Sequence, residues 1–338
     1  MKPMAMNECK AKLEMADTSF KTDVIRGLSA RQKFLESKYF YDAAGDQLFQ
    51  QIMQSPEYYL TNAEMEIMLL ESEYILNVCR QLHDSFDIVE LGAGDASKTI
   101  HLLKRAFEKG VADHYFPIDI SANVIQYLNT TLPEKIPGME VEGLAGEYFQ
   151  MLEALNNRRN KPKLVLFMGA TIGNMLPDEA LVFCKELHAY LNEGDMLLIG
   201  FDLKKDPKRI LDAYNDAAGI TREFNLNLLR RINRELGSNF NVEKFEHYPI
   251  YDPGTGSCKS YLISKEKQLV SLDDGTTFSF EKHEPIYMEV SQKYNQKEIT
   301  LLAKESGFES VSSFFDRKKL FVDTLWKVPS LKNFLVTT

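Results

Sequence analysis

The sequence predicts an α/β fold, a mostly parallel sheet with helices on both faces, and a smaller α+β domain inserted into it. From residue 86 onward, short apolar runs bounded by Gly, Pro or Asp alternate with segments of helical periodicity. A glycine-rich turn follows the first run, and after Asp202 the pattern changes to a helical stretch and then to period-two alternation. In sheets of this kind, ligands bind beyond the carboxyl ends of the strands.

Apolar runs and helix caps predict the elements of the parallel sheet in order. Ser121 can cap a helix after the second run, and Pro177 with Asp178 can open a helix before the last one. The runs predicted as strands are FDIVEL, HYFPIDI, GMEVEGLAG, PKLVLFMGA and GDMLLIGFD.

The inserted region begins at Asp206-Pro207 with one long helical stretch, KRILDAYNDAAGITREFNLNLLRRINRELG. Period-two alternation with the turn signals DPGTGS and LDDGTT follows and predicts an antiparallel meander. The chain is predicted to return to the first domain around residue 290. The signals for this return are a capping box at Asn295 and Glu298, a helix end at Gly307 and a closing hairpin. The predicted domains are 62–203 with 288–335, and 1–61 with 204–287.

Composition limits the possible partners of the chain. The 338 residues carry a net charge of −9 with scattered acids, which disfavours nucleic acid and leaves a small molecule as the expected substrate. No apolar run approaches a membrane span, and the N-terminus lacks the apolar core of a secretion signal. The four cysteines show no metal-ligand spacing, so we expect thiols in a reducing compartment and no metal. We expect a cytoplasmic monomer.

The turn in FDIVELGAGDASKT is typical of a nucleotide site. Gly92 and Gly94 allow the backbone to turn sharply and approach a ligand, and Asp119 ends the next strand where it can accept from two ribose hydroxyls. A dinucleotide site would place a third glycine where Ser97 stands, so S-adenosyl-L-methionine fits better. A dinucleotide and a plain strand-to-helix turn remain alternatives.

Several blocks together resemble the histidine-specific methyltransferase family over about residues 24–328. They include the PEYY block, a GATIGNM block and an EVS block, and the distinctive ones lie outside the glycine turn. The resemblance implies a class I, Rossmann-like methyltransferase domain with an inserted α+β substrate domain. It also implies methylation of the α-amino group of free L-histidine, to the trimethylated betaine of ergothioneine biosynthesis. The blocks are KYFYDAAGDQLFQQIMQSPEYYLTNAEMEIM, VELGAGDASKT, GATIGNM, AYNDAAGITREFNLNLLRRINRELG and MEVSQKY.

The resemblance implies which residues contact the cofactor. Where the family usually has Gly-Asp-Phe after the third strand, this chain has Gly146-Glu147-Tyr148, so Glu147 would bind the adenine amine through a longer side chain. A helix-start acid favoured by the dipole is the alternative for Glu147. The implied cofactor residues are Glu90, Gly92, Lys98, Asp119, Glu147, Tyr148 and Gly169.

The resemblance also implies a substrate set. Asn174 and Tyr214 would hold the substrate carboxylate, while Tyr41 and Tyr58 would close over the amino acid as catalytic residues. A turn residue and a core-edge aromatic are the structural alternatives for Asn174 and Tyr214. Tyr58 also belongs to the substrate-binding set.

Glu289 and Ser291 occupy alternate positions of MEVSQK, so on a strand they share a face. The resemblance implies that they bind the imidazole nitrogens. A methionine that packs on the substrate ring in familiar enzymes aligns loosely with Ser260, which would make the pocket more polar or roomier. Two alternatives stay open: methylation of another amino acid or of a histidine ring nitrogen, and an S-adenosylmethionine-binding protein without turnover.

Overall fold

The computed structural model describes residues 19–330, whose contacts divide the chain into two compact units. The first unit comprises residues 19–58 and 206–291, and the second comprises 59–205 and 292–330. The points where the chain passes from one unit to the other therefore lie a few residues away from the predicted domain boundaries. As a result, Glu289 and Ser291 belong to the first unit rather than to the unit that contains the parallel sheet. The predicted end of the sheet domain at 335 lies outside the described residues, as does Cys9.

Residues 19–330 form α-helices, short 3-10 helices and β-strands. The α-helices are α1 (19–29), α2 (Ala43–Gln54), α3 (Tyr59–Arg80), α4 (Ile100–Glu108), α5 (Ala122–Lys135), α6 (Tyr148–Asn156), α7 (Pro177–Ala189), α8 (Pro207–Ala213), α9 (Ile220–Leu236) and α10 (Gln296–Glu305). The 3-10 helices span Ser37–Phe40, Thr171–Asn174 and Val242–Lys244. The strands are β1 (Phe86–Leu91), β2 (Ala112–Asp119), β3 (Glu140–Val141), β4 (Leu144–Ala145), β5 (Lys163–Phe167), β6 (Met196–Asp202), β7 (Phe245–Asp252), β8 (Ser257–Ser264), β9 (Gln268–Ser271), β10 (Thr277–Phe280), β11 (Pro285–Gln292), β12 (Glu309–Phe315) and β13 (Phe321–Lys327).

The second unit is built on one sheet in the order β12-β13-β6-β5-β1-β2-β3, with β4 also paired to β2. The pairs from β6 to β3 are parallel, while β13 is antiparallel to both β6 and β12. This confirms the predicted α/β fold and the closing hairpin. The third predicted strand is wrong in one respect, because it is split into β3 and β4 around Gly143, whose N–H donates to the Asn129 side chain at 2.9 Å.

The centre of this sheet is buried on both faces, as its continuous apolar strands require. Every residue of β1, β5 and β6 is buried, and Trp326 of β13 packs against Phe201 and Phe308. Both predicted caps are confirmed: Ser121 accepts from the Val124 N–H, and the capping box at the start of α10 is complete. Within residues 19–330, no helix is long and apolar enough to cross a membrane.

In the first unit, the single long helix predicted after Pro207 is wrong. The chain breaks into α8 and α9, because the Asp216 carboxylate accepts from the N–H groups of Ile220 and Thr221 at 2.8 and 2.7 Å. Gly219 supplies the left-handed residue before α9, with φ +73°. The DAAG sequence is therefore a helix start, and it leaves Tyr214 at the end of α8.

The predicted meander is also wrong in its connectivity. The structure forms a three-stranded sheet in the order β11-β8-β7 and a separate hairpin of β9 and β10. His283 has a left-handed φ of +70° and its N–H donates to the Ser264 carbonyl, while the Ser264 N–H donates to the Glu284 carbonyl. This turn returns the chain to β8, so β11 pairs there and not with β10.

The carboxylate of Asp202, at the end of β6, is fully buried and contacts three side chains of the second unit. The Tyr59 hydroxyl donates to it at 2.8 and 3.0 Å, Lys293 pairs with it at 2.7 Å, and Lys205 also donates to it. Two ammonium groups thus share one buried carboxylate, the Lys293 group fully buried and the Lys205 group mostly so.

We predict that Asp202→Asn lowers the free energy of unfolding by about 3–5 kcal/mol, because it leaves two buried ammonium groups without a counter-charge. Chemical denaturation followed by circular dichroism measures this loss. Asp212→Asn is the matched control, since Asp212 pairs with Lys208 on the surface and such pairs contribute about 0–1 kcal/mol. Equal stabilities for the two variants would contradict the prediction.

Candidate active site

The turn after β1 requires glycine for two separate reasons. Gly92 has φ +72° and Gly94 has φ +51°, in the left-handed region. A Cβ on Gly92 would also lie 2.7 Å from the Tyr148 hydroxyl oxygen, so a side chain there would force the Tyr148 ring to move. The turn therefore forms a tight cradle at the carboxyl end of β1, and Tyr148 forms part of its wall.

Glu90 lies beneath this turn and is buried. Thr99 donates to one of its oxygens at 2.6 Å, and the Tyr115 hydroxyl donates to the other. Burial raises the pKa of Glu90 to about 7, although both hydrogen bonds oppose the shift. The geometry favours a supporting role under the turn, so direct contact between Glu90 and a cofactor stays a prediction.

Asp119 ends β2 beside the glycine turn. One carboxylate oxygen accepts from the Ser121 N–H at 2.9 Å, and the other accepts from the Gly94 N–H at 3.3 Å. The next residue, Ile120, is 74% exposed, which is unusual for an isoleucine beside a buried strand. An acid and an exposed apolar side chain here suit the ribose and the flat ring of a nucleoside. Sequence reasoning missed Ile120, although its place after the strand-ending acid was a usable signal.

Lys98 and Gly169 are brought together by a residue that sequence reasoning did not single out. Glu64, on α3, is fully buried; one of its oxygens accepts from the Gly169 N–H at 2.6 Å and the other pairs with Lys98. Gly169 has φ +75°, and a Cβ there would lie 3.7 Å from the Lys98 ammonium. Glu64 carried no signal beyond its place in a helical block.

Glu147 and Tyr148 stand at the start of α6. Glu147 is the N-cap residue and is exposed, but its side chain makes no capping hydrogen bond. This position at the helix N-terminus fits the dipole alternative, so the adenine role of Glu147 stays a prediction. The Tyr148 ring packs edge-on against Phe167, and burial raises the pKa of its hydroxyl to about 12, which keeps it protonated.

Asn174 lies at the end of the 3-10 helix that follows β5, and it is exposed. Ala170 precedes this helix with φ +53°, a strained value for a residue with a Cβ. Gly173 approaches the backbone so closely that a Cβ would lie 2.9 Å from the Gln292 carbonyl oxygen. The backbone around Asn174 is thus tightly constrained while its amide faces outward.

In the first unit, the structure brings together Tyr58, Tyr214 and Ser291. The hydroxyl oxygens of Tyr214 and Ser291 are 2.6 Å apart, and the Tyr58 ring lies edge-on to the Tyr214 ring at 6.2 Å. Glu289 precedes Ser291 by two positions on β11, so strand alternation places both side chains on one face.

Tyr41 and Tyr58 belong to an aromatic cluster in the first unit. Tyr41, which is 48% exposed, lies edge-on to Phe49 and Phe224, and Phe49 lies edge-on to Tyr58. Sequence reasoning identified the two tyrosines but missed both phenylalanines, which come from α2 and α9. Such a cluster offers ring faces to a cation that carries little hydration.

Ser260 lies on the face of its sheet opposite to Glu289, and its role beside the substrate ring stays a prediction. Ser260 is 1% exposed and shares the buried face of β8 with Leu262. The next residue, Tyr261, points the other way and packs against Tyr287 at 5.8 Å, on the face of β11 that carries Glu289. A one-residue offset reverses the face of a strand residue, and the loose alignment did not fix that offset.

Glu90 gives the site a pH dependence whose sign follows from its raised pKa. Its contribution to stability is complete below about pH 4.5 and is lost as the pH rises through about 7, because the folded protein then holds a buried charge. A difference of about 2.5 units corresponds to roughly 3 kcal/mol. Between pH 5 and pH 9 we therefore expect Glu90→Gln to become more stable relative to wild type by about that amount.

Urea denaturation of the two proteins at each pH measures this difference. Glu108→Gln is the control, because Glu108 is exposed at the end of α4. A stability difference between Glu90→Gln and wild type that does not change with pH would contradict the prediction.

Known proteins resemble this chain over nearly its whole length. A family described as histidine-specific, S-adenosylmethionine-dependent methyltransferases matches residues 20–328. Histidine N-alpha-methyltransferases of Mycobacterium tuberculosis and Mycolicibacterium smegmatis are each 33% identical, over 88% and 90% of this chain and 91% and 93% of theirs. Ergothioneine biosynthesis protein 1 of Schizosaccharomyces pombe is 29% identical over 83% of this chain and 37% of its own length.

Proposed function

The chain belongs to the histidine-specific, S-adenosylmethionine-dependent methyltransferase family, and we propose that it methylates the α-amino group of free L-histidine. The observation that carries this proposal is the Tyr214–Ser291 hydrogen bond, with Glu289 on the same face of β11. Together Glu289 and Ser291 offer a carboxylate and a hydroxyl, the two groups that would match the two ring nitrogens of an imidazole. The mycobacterial relatives, similar over nine-tenths of their length, carry names that agree with this acceptor.

The second unit supplies the proposed residues for the methyl donor. Asp119 would accept from the ribose hydroxyls and Glu147 from the adenine amine, while Ile120 would pack on the adenine ring. The turn at Gly92 would let the protein backbone approach the methyl donor closely. Lys98 would pair with the donor's carboxylate. S-adenosylmethionine supplies a methyl group on a sulfonium, which makes that methyl carbon electrophilic.

The proposed residues for the acceptor each match one group of histidine. Asn174 would donate its amide to the carboxylate, which suits its exposed side chain on a constrained backbone. Glu289 would accept from an imidazole N–H, and the Ser291 hydroxyl would serve the other ring nitrogen. The Ser291 oxygen lies 2.6 Å from the Tyr214 hydroxyl oxygen, which holds it in place on this face.

Methyl transfer of this kind is a displacement by a neutral amine and depends mainly on alignment of the reacting atoms. A free α-amine is largely protonated at neutral pH, so a proton must first pass to water or to a tyrosine. Each added methyl then leaves a bulkier cation with less hydration. The cluster of Tyr41, Phe49, Tyr58 and Phe224 supports repeated methylation, because ring faces stabilise such a cation without a fixed carboxylate.

We therefore propose the trimethylated betaine as the product, and ergothioneine biosynthesis as its use, in line with the name of the fission yeast relative. The second candidate is methylation of another amino acid. It is favoured by Tyr261, since an aromatic residue on the Glu289 face would also suit a larger aromatic ring. A ring nitrogen of histidine as the acceptor, or binding of the donor without turnover, is a further alternative that the same assay separates.

We predict that Glu289→Ala lowers kcat/KM for histidine by about 100-fold or more, and lowers it for phenylalanine, whose ring has no N–H, by less than about tenfold. A site that pairs a buried group with a substrate N–H discriminates strongly against ligands that lack that partner. The measurement is initial-rate kinetics with labelled S-adenosylmethionine and a panel of amino acids.

Glu281→Gln is the matched control, because Glu281 is an exposed acid of the same unit that pairs with Lys267 on the surface. If wild type prefers another amino acid, or if Glu289→Ala leaves the histidine-to-phenylalanine ratio unchanged, the histidine proposal fails and the second candidate replaces it.

A further inference from the structure

We propose that Glu64 is a positioning residue of the methyl-donor site, which holds Lys98 and the backbone of Gly169 in one arrangement. The proposal rests on the cofactor role proposed for Lys98, and it adds a residue that acts through the others. Glu64 lies on α3, before the whole parallel sheet in sequence, and outside the glycine turn.

The geometry of Glu64 joins two separate loops. One oxygen accepts from the Gly169 N–H at 2.6 Å, in the turn after β5, and the other pairs with Lys98, in the turn after β1. These two turns belong to neighbouring strands of the sheet. A single carboxylate therefore sets the distance between the Lys98 ammonium and the backbone after β5.

The space for this carboxylate is kept open by a glycine on a third strand. A Cβ on Gly200 of β6 would lie 2.6 Å from a Glu64 oxygen and 3.1 Å from a carboxylate oxygen of Asp323. That oxygen is the one that accepts from the Gly169 N–H, so a side chain at position 200 would push the Glu64 carboxylate out of this arrangement. The glycine on β6 therefore leaves the space that the Glu64 carboxylate occupies beside the sheet.

Electrostatics distinguish Glu64 from the other acids near Lys98. Burial lowers the pKa of Lys98, but the nearby acids together, with Glu64 contributing most, raise that pKa above its usual value. Burial raises the pKa of Asp323 well above its usual range, and within residues 19–330 its oxygens have no hydrogen-bond partner. Among the acids near Lys98, Glu64 is the one that both pairs directly with its ammonium group and contributes most to the rise of its pKa.

Glu64 itself cannot touch a ligand, since it is fully buried and both oxygens are engaged inside the second unit. Its effect must pass through Lys98 and Gly169. A cationic Lys98 held beside Gly169 suits a carboxylate group, and loss of Glu64 would leave the ammonium desolvated without its partner. The expected consequence is weaker binding of the donor's amino-acid end and an earlier deprotonation of Lys98.

The test is calorimetric titration of the full chain with S-adenosylhomocysteine, which needs no turnover. We expect Glu64→Gln to bind 10- to 100-fold more weakly than wild type at pH 7. We expect the ratio to widen at pH 9, because Lys98 without the charge of Glu64 loses its proton at lower pH. The ligand's own titration is common to both proteins and cancels in the ratio. Glu66→Gln, on the same helix and paired with Arg317, should bind within twofold of wild type.

A folded Glu64→Gln protein that binds within threefold of wild type at both pH values overturns the proposal. If that variant does not fold, hydrogen exchange of the wild-type Gly169 amide without ligand decides instead. A bond to a buried carboxylate predicts slow exchange, and exchange at the rate of an exposed loop overturns the proposal. These outcomes are separate from the acceptor proposal, since S-adenosylhomocysteine binding is measured without histidine.

Discussion

The buried carboxylate of Asp202 is the interaction on which the organisation of this chain depends. The chain crosses between the two units at 58/59, 205/206 and 291/292, and the second-unit residues nearest these crossings include Tyr59, Lys205 and Lys293. All three bind Asp202, so one group at the end of β6 ties together second-unit residues at or close to all three crossings. Burial lowers the pKa of Lys205 to about 8, which shows how costly a second ammonium is at this site.

Much of the sheet could be predicted because its local signals agree with its tertiary structure. Apolar runs marked β1, β2, β5 and β6, and caps such as Ser121 marked helix starts, since both depend only on neighbouring residues. The errors arose where distant groups decide the outcome. The break before α9 depends on the Asp216 carboxylate, and β11 pairs with β8 because of the turn at His283.

In the candidate site, too, the residues that follow local signals could be predicted, and those placed by distant contacts could not. Gly92, Asp119 and Asn174 follow strands directly, so their places beyond the carboxyl ends could be predicted from sequence order. The role of Glu64 could not be predicted, because nothing in its helical sequence block indicates that its side chain contacts two loops of the sheet. The face of Ser260 depends on a register that a loose alignment leaves undefined, and the structure places Tyr261 on the Glu289 face instead.

The central claim is that this methyltransferase acts on the α-nitrogen of free histidine. The most direct measurement is NMR of the product formed from histidine labelled with ¹⁵N and S-adenosylmethionine labelled with ¹³C in its methyl group. The account predicts three equivalent methyl groups coupled to the α-nitrogen, with both ring nitrogens unmodified. Methyl signals coupled to an imidazole nitrogen, or no histidine product beside efficient methylation of another amino acid, would contradict it.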